Sequence, residues 1–480
     1  MDELQVLRVL TNEYNPHWEG MALPKSKAPD FRRRDFYTLW KELDSEKITS
    51  IIGPRRVGKT TLLFQLIEHV IKERNVDPKH IIYVSMDNAY LASSAKEPLE
   101  SIIEVYSRNI LKEDYRKIAQ KIYVLLDEIQ YLEDWEKKLK TWFDYKYNIK
   151  FIVSGSSSAM IQKGAGRLVG RIKERIVLPL KFSDAMDFSG ETQGYWNIGT
   201  KLRQALAISI KHGNPAPLRK AVGELSHELV KRENEIDRGL ATFMIKGGYP
   251  EVQKNADLSA CSSDLKDAIL SKSMLDIIER HRVRNVQTIR YFMSLIAAKS
   301  GSRLTYAGIS QDIGVERPTV ISHIGYLEDV FLVSKSSFYS KRLPVRERKE
   351  KKYYVNDAGM RNSLVGMMNE SLLKDSTEMG IVAETLAFDH ARRLKFFLSG
   401  NQDAEIFYWM SKDGEIDIVL DAGAAMPIEV KFRNNKEESK VMAQFMQKYR
   451  SPFGMILTKN TLDLEGNVLK IPLKIFLLMC

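Results

Sequence analysis

Several short stretches of the chain hold residue types that act on phosphates. Gly53-Pro54-Arg55-Arg56-Val57-Gly58-Lys59-Thr60-Thr61 fits G-x-x-x-x-G-K-[ST], between an apolar run and an apolar helical pattern. The glycines permit a tight loop whose N–H groups, with the helix N-terminus, face an anion. Lys59 would neutralise the terminal phosphates and Thr60 would ligate Mg²⁺, so ATP and Mg²⁺ are the expected cofactors, with Gly53 to Thr61 as the binding segment. The apolar run Ile122 to Leu126 ends in Asp127-Glu128. Two carboxylates leaving a buried strand are costly without a cation. Asp127 is therefore expected to hold Mg²⁺ through water, and Glu128 to polarise the attacking water. Ser154, at the tip of the next apolar run, is the first choice to hold that water or the γ-phosphate, with Ser156 second. Ser157 or Ser158 suits a helix cap. Arg167 and Arg171 are candidates for an arginine finger, within the molecule or across the interface of a homo-oligomer. A solvated role, or contact with DNA phosphates, is the alternative for both.

A second constellation lies near the C-terminus. Ile416-Asp417-Ile418 and Ile428-Glu429-Val430-Lys431 each set polar residues between apolar ones on an expected strand. Side chains two apart share a face, so Glu429 and Lys431 would point together. Paired as a hairpin, the strands would add Asp417, and Glu384 from the preceding helical run would complete a site for Mg²⁺ or Mn²⁺. Lys431 would then activate water for phosphodiester hydrolysis. Acid-x-Lys also occurs at Asp77–Lys79, Glu136–Lys138 and Asp144–Lys146. The strand context therefore carries the signal, and an exposed ion pair is the plain alternative.

The elements that must position these residues follow from hydrophobic pattern. Apolar runs at 48–52, 80–86, 122–126, 150–153 and 175–180, separated by helix-length stretches, predict a parallel α/β sheet ending near residue 180. Helical patterns follow at 201–209, 217–231 and 264–280, broken by Gly247-Gly248-Tyr249-Pro250. Between Leu304 and Leu327, apolar positions at Ile309, Ile313, Val320, Ile324 and Leu327, with Gly314 between them, predict a helix-turn-helix. Pro318 would open its second helix, leaving Arg317, Thr319, Ser322 and His323 for an exposed face. Strands are expected at 404–410, 415–420, 427–432 and 453–458.

The 480 residues allow about three domains, and 44% hydrophobic with 28% charged residues excludes wholesale disorder. Two cysteines, Cys261 and Cys480, exclude a disulfide framework or a zinc site, and no apolar run would span a bilayer. With no secretion-signal pattern at the N-terminus, the expected location is the cytoplasm, away from membranes. The net charge of +11 matters through its clustering. Residues 341–352 hold seven basic and two acidic side chains, Arg32 to Arg34 form a second cluster, and Lys163 to Arg175 a third. DNA is the expected partner, and the run 341–352 would form a wing beside the helix-turn-helix.

Gly53 to Thr61, Leu126-Asp-Glu-Ile-Gln130, Ser154 to Ser158, Gly166-Arg-Leu-Val-Gly-Arg171 and Gly247-Gly-Tyr-Pro-Glu251 together resemble archaeal and bacterial AAA+-type ATPases. In that group the C-terminal part is similar to PD-(D/E)XK nucleases, as Glu384, Asp417, Glu429 and Lys431 suggest here. The resemblance runs from about residue 30 onward. It implies a multidomain α/β protein: a P-loop parallel-sheet ATPase domain with an N-terminal extension (1–180), a helical lid (181–289), a winged helix-turn-helix (290–355) and a restriction-nuclease-like α/β domain (356–480). It also implies that Pro250, in the lid's Gly-x-Pro turn, touches the nucleotide. The leading expectation is an ATP-dependent enzyme that binds and remodels DNA, branched DNA included, with metal-dependent cutting by the last domain. The alternatives are a nucleotide-controlled switch that docks DNA or protein without cutting, and a transcriptional regulator. Lys59→Ala is predicted to abolish ATP hydrolysis; unchanged phosphate release by the variant would remove the loop from the mechanism.

Overall fold

The computed structural model describes residues 3–88, 90–91, 97–156, 168–190, 192–283, 285–400, 405–432 and 440–480. The chain forms two compact units, residues 1–178 and 179–480. The first contains the expected ATPase segment. The second joins what the sequence suggests are three separate domains.

In the first unit, β1 (Ile48–Ile52), β2 (Ile81–Ser85), β3 (Ile122–Asp127), β4 (Ile149–Gly155) and β5 (Ile172–Ile176) form one parallel sheet in the order β2-β3-β4-β1-β5. The first four apolar runs lie within two residues of their expected places. The fifth does not: the apolar stretch 175–180 is expected to be the strand, but β5 is the half-exposed Ile-Lys-Glu-Arg-Ile. An edge strand needs no apolar face on both sides, so polar residues suffice there. The buried Val177 follows it, donating its N–H to Ile52 O at 2.7 Å.

The opposite edge, β2, is covered by the N-terminal segment. The Asn15 side chain acts as a short substitute strand: its Nδ2 donates to Tyr83 O at 2.9 Å, and its Oδ1 accepts from Tyr83 N at 2.7 Å. Trp18 Nε1 donates to Ile81 O at 2.8 Å, and its ring stacks on Tyr106. His17 Nε2 lies 3.1 Å from the same carbonyl, and burial lowers its pKa to about 4, so it remains neutral at physiological pH. Open backbone groups on an edge strand invite intermolecular pairing, and these side chains satisfy them.

In the second unit, β6 (Arg303–Leu304), β7 (Val333–Phe338) and β8 (Lys351–Val355) accompany the helices Val286–Ala298, Tyr306–Ile313 and Arg317–Asp329. The last two helices fall within the segment 304–329, and Gly314 caps the first with a φ of +76°. The sheet continues without a break. β7 runs parallel to β9 (Phe407–Ser411), which leads through β10 (Gly414–Asp421), β11 (Ala425–Lys431) and β12 (Gly454–Thr458) to two last strands, β13 (Asp463–Glu465) at the edge and β14 (Val468–Pro472) inside it, nine strands among the described residues. The expected boundary at 355/356 therefore falls inside one sheet. Cys261 and Cys480 are both buried free thiols.

The Gly247-Gly248-Tyr249-Pro250 break separates helices Glu233–Lys246 and Pro250–Gln253 and is held by Asp357. Gly248 N donates to Asp357 Oδ2 at 2.7 Å, and the other carboxylate oxygen caps helix Ala358–Val365 through Met360 N. Gly247 has a φ of +70°, and a Cβ there would stand 2.3 Å from the same carboxylate, so no other residue fits.

Asn15→Ala should destabilise the first unit by about 1–3 kcal/mol, because it leaves a buried N–H and C=O of β2 unpaired. Urea unfolding reads this; an unchanged midpoint would show that the N-terminal segment does not support the edge.

Candidate functional site

Parallel sheets gather ligands at the carboxyl ends of their strands, and there the first unit collects its polar residues. Gly53 follows β1 so closely that a Cβ would lie 1.9 Å from Val177 O. The loop then reverses and Lys59 starts the helix Lys59–Arg74. Lys59 is 4% exposed, and its Nζ donates to Gly53 O at 3.0 Å and Pro54 O at 2.8 Å, inside the loop that would enclose a phosphate chain. Pro54 and Val57 are buried, Arg55, Gly58 and Thr61 are neither fully buried nor fully open, and Arg56 has a φ of +61°. Arg33 clamps the loop from behind: Nη1 donates to Val57 O at 2.9 Å and Nη2 to Leu178 O at 2.8 Å. Of the expected basic cluster 32–34, Arg33 thus serves the fold rather than a solvated patch.

Asp127, 2% exposed, ends β3 and gathers three hydroxyls. Thr60 Oγ1 donates to its Oδ2 at 2.6 Å and Tyr83 OH to the same oxygen at 2.9 Å, while Ser154 Oγ donates to Oδ1. Ser154 lies on β4, the strand between those that carry the loop and Asp127, so the sheet order places it beside both. Glu128 takes a left-handed φ of +49°, turning off the strand axis, and Gln130 Nε2 donates to its Oε2. Gln130 also reaches Ser156 Oγ at 3.3 Å. Burial raises the Glu128 pKa, against the pull of Lys59. Beside these groups opens a cleft of about 500 Å³, to which the N-terminal segment contributes Tyr14 and Lys27.

These residues fit a magnesium nucleotide: a buried ammonium within a loop at a helix N-terminus, and a threonine hydroxyl against a carboxylate. Arg167 lies outside the described residues, as do Ser157 and Ser158. Arg171 pairs through Nε with Asp144 Oδ1 at 2.8 Å. Pro250 stands at the first position of its helix in the second unit.

The C-terminal carboxylates meet a cation already in the chain. Lys352, on β8 and 2% exposed, directs its Nζ to Glu384 Oε1 at 2.9 Å, to Glu415 Oε1, and to Asp417 Oδ1 at 3.6 Å. Tyr354 OH adds a bond to Glu384 Oε1 at 2.8 Å, Val430 N one to Asp417 Oδ2 at 2.8 Å, and Arg303 Nε lies 3.2 Å from Glu415 Oε2. Burial opposes the Lys352 charge, but Tyr354, Glu384, Asp417 and Glu415 hold its pKa well above the ordinary value. Burial and Glu384 push the Asp417 carboxyl up. Glu429 instead pairs with Lys431, Oε1 to Nζ at 3.3 Å, and its Oε2 is buried without a hydrogen-bond partner. Glu429 and Lys431 share a face, as expected, and β10 and β11 pair antiparallel with Ile418 opposite Ile428. Among the described residues, however, no group of three or more His, Cys, Asp or Glu is placed to hold a metal ion. The residues implied for a divalent cation do not fit one with Lys352 in place.

Sequence reading misses Lys352 and Glu415. It assigns Lys352 to the end of a basic wing, whereas the residue lies on the buried strand β8. Lys351 is buried too, its Nζ donating to Arg346 O at 2.7 Å. On the helix-turn-helix, Arg317 and Ser322 are exposed and Thr319 is not buried. His323, expected on the exposed face, instead stacks on Phe292 and bonds Thr319 O through Nδ1.

Residues 45–186 match the family model described as an AAA domain. Residues 237–371 and 379–476 match two domains of unknown function. The first unit therefore carries an AAA-type ATPase domain. Two uncharacterized proteins of Methanocaldococcus jannaschii are similar: one is 26% identical over 388 residues, covering 79% of this chain and 73% of the relative. The other is 22% identical over 441 residues, 91% of this chain and 86% of the relative. Among solved structures, the Aeropyrum pernix ORC1 protein in complex with DNA aligns at a TM-score of 0.29 with 12% identity, over 75% of this chain and 96% of that one. Among the described residues no helix is long and apolar enough to cross a membrane.

A general base works only when ionised, so turnover should fall as pH drops through the raised Glu128 pKa, placing the acid limb above the ordinary glutamate value. Glu128→Gln should lower turnover by about 100-fold or more, consistent with the usual worth of such a group, while ATP still binds. A pH–rate profile with nucleotide binding checks both; a variant that turns over normally would exclude Glu128 as the base.

Proposed function

We propose that the protein is an ATP-hydrolysing, DNA-engaging ATPase whose nucleotide cycle controls how it holds DNA. The observation that carries the ATPase half is the meeting of Thr60, Ser154 and Tyr83 on the Asp127 carboxylate, one residue before Glu128 and beside the buried Lys59. Bound Mg²⁺–ATP supplies the electrophilic phosphorus and the metal that offsets its charge. With that group bound, Lys59 would exchange its loop carbonyls for phosphate oxygens, Ser154 would orient water or the γ-phosphate, and Glu128, steadied by Gln130, would accept the water's proton. An arginine supplied in trans, Arg167 or Arg171 of a second copy, would complete the charge compensation; this makes the working form a homo-oligomer. Pro250 as a nucleotide contact belongs to the same proposal.

The DNA half is supported by the helix-turn-helix and the short basic helix Leu343–Arg348. Arg342, Arg348 and Lys349 are exposed there, suited to backbone phosphates, with branched DNA among the candidate substrates. Of the two readings of the C-terminal domain, cutting with Mg²⁺ or Mn²⁺ at Glu384, Asp417, Glu429 and Lys431 or docking without cutting, the second is favoured by Lys352, whose ammonium already occupies oxygens of Glu384 and Glu415 and stands beside Asp417.

A panel of duplex, forked, four-way and single-stranded DNAs with ATP, ADP and no nucleotide tests this function. The expected result is DNA binding that changes with the nucleotide. Replacing Arg342, Arg348 and Lys349 together by Ala should weaken binding and reduce the slope of log K against log salt by about 3, since each neutralised phosphate contributes about 0.9. No binding to any DNA, or an unaltered slope, would discard the nucleic-acid half.

A further inference from the structure

We infer that Lys352 is a tethered counter-ion occupying the position of a divalent cation, so that the carboxylate cluster of the C-terminal fold refuses Mg²⁺ and Mn²⁺. The inference rests on the docking reading of this domain and identifies the group that enforces it.

The carboxylates of the cluster are spread around an ammonium rather than around an open coordination centre. Oxygens from the helix Ser376–Ser399 and from two positions of β10 converge on one Nζ, supplied from β8 across the sheet. An ammonium offers three donors, and three carboxylates meet it here. The outward oxygens are engaged as well: Glu415 Oε2 by Arg303, and Asp417 Oδ2 by Val430 N. Tyr354 OH gives Glu384 Oε1 a second donor. Mg²⁺ demands oxygens at about 2.0–2.1 Å in octahedral array, which requires these same lone pairs. Two cations cannot share them, and Lys352 at 2% exposure cannot swing into solvent without opening β8. The covalent tether gives the ammonium a local concentration that free metal at millimolar levels does not match.

The simpler reading, an ordinary buried ion pair, predicts nothing about metals. The tethered counter-ion predicts that removing the ammonium frees the Glu384, Glu415 and Asp417 oxygens for a metal ion.

The test titrates Mn²⁺ alone into the full chain without nucleotide, in an Asp127→Asn background that disables the ATP-site ligand, and follows binding by electron paramagnetic resonance. With Lys352 present, no saturable binding below about 1 mM is expected at the cluster, the range of ordinary weak carboxylate affinity. Lys352→Ala should bind Mn²⁺ about 10-fold more tightly or better, and adding Asp417→Asn should remove that binding. Because the alanine variant leaves carboxylates uncompensated and can fail to fold, Lys352→Met with Glu415→Gln provides a second variant that keeps the cluster's formal charge. The inference is overturned if the chain with Lys352 binds Mn²⁺ in a manner that Glu384→Gln or Asp417→Asn abolishes, or if a folded Lys352 variant gains no site. Neither result touches the ATPase reading, which is measured with nucleotide in chains that retain Asp127.

Discussion

The first unit is organised around a buried carboxylate that must be satisfied. Asp127 is nearly inaccessible, and an unpaired charge at that depth would be untenable. Its partners come from the phosphate-loop helix, β2 and β4, so three elements are fastened where their chemistry is needed. The strand order follows suit, since β4 lies between β1 and β3, which sets Ser154 against the Asp127 carboxylate on the strand next to the one that carries the loop. The N-terminal segment belongs to the same arrangement: by holding β2 through Tyr83 N and O, Asn15 also holds the residue whose hydroxyl reaches Asp127.

Features encoded locally are legible in the sequence. The phosphate loop, Asp127-Glu128, Ser154, the helix-turn-helix and the C-terminal hairpin each rest on adjacent residues whose polarity pattern has one sensible reading. What escapes depends on partners distant in the chain. β5 is misplaced because an edge strand lacks the apolar signature of a central one. His323 reads as exposed because helical spacing alone does not show that Phe292 stacks against it. The N-terminal cover on β2 leaves only a cluster of Asn15, His17 and Trp18, whose partners lie more than sixty residues away.

Charge is the most misleading signal. The basic run 341–352 is expected to form one wing, but β8 is buried along its whole length, Lys351 and Lys352 included, while Arg342, Arg348 and Lys349 remain outside. Neighbouring residues of a strand point to opposite faces, so a strand covered on both faces buries both of its lysines whatever their charge. Likewise, Arg33 belongs to a basic triplet yet hydrogen-bonds backbone carbonyls of the nucleotide loop and of Leu178.

The unbroken sheet of the second unit bears on how this architecture can be taken apart. β7 and β9 pair through Ser337↔Phe407 and Phe338↔Tyr408, and Lys352 crosses from the wing to the carboxylates beyond. A cut at residue 355 would strip β9 of its neighbour and strand three acidic side chains without their ammonium. β7, β8 and the strands from β9 onward are therefore one inheritance: they cannot be exchanged between chains as interchangeable modules, and recombination that preserved both would have to carry them together.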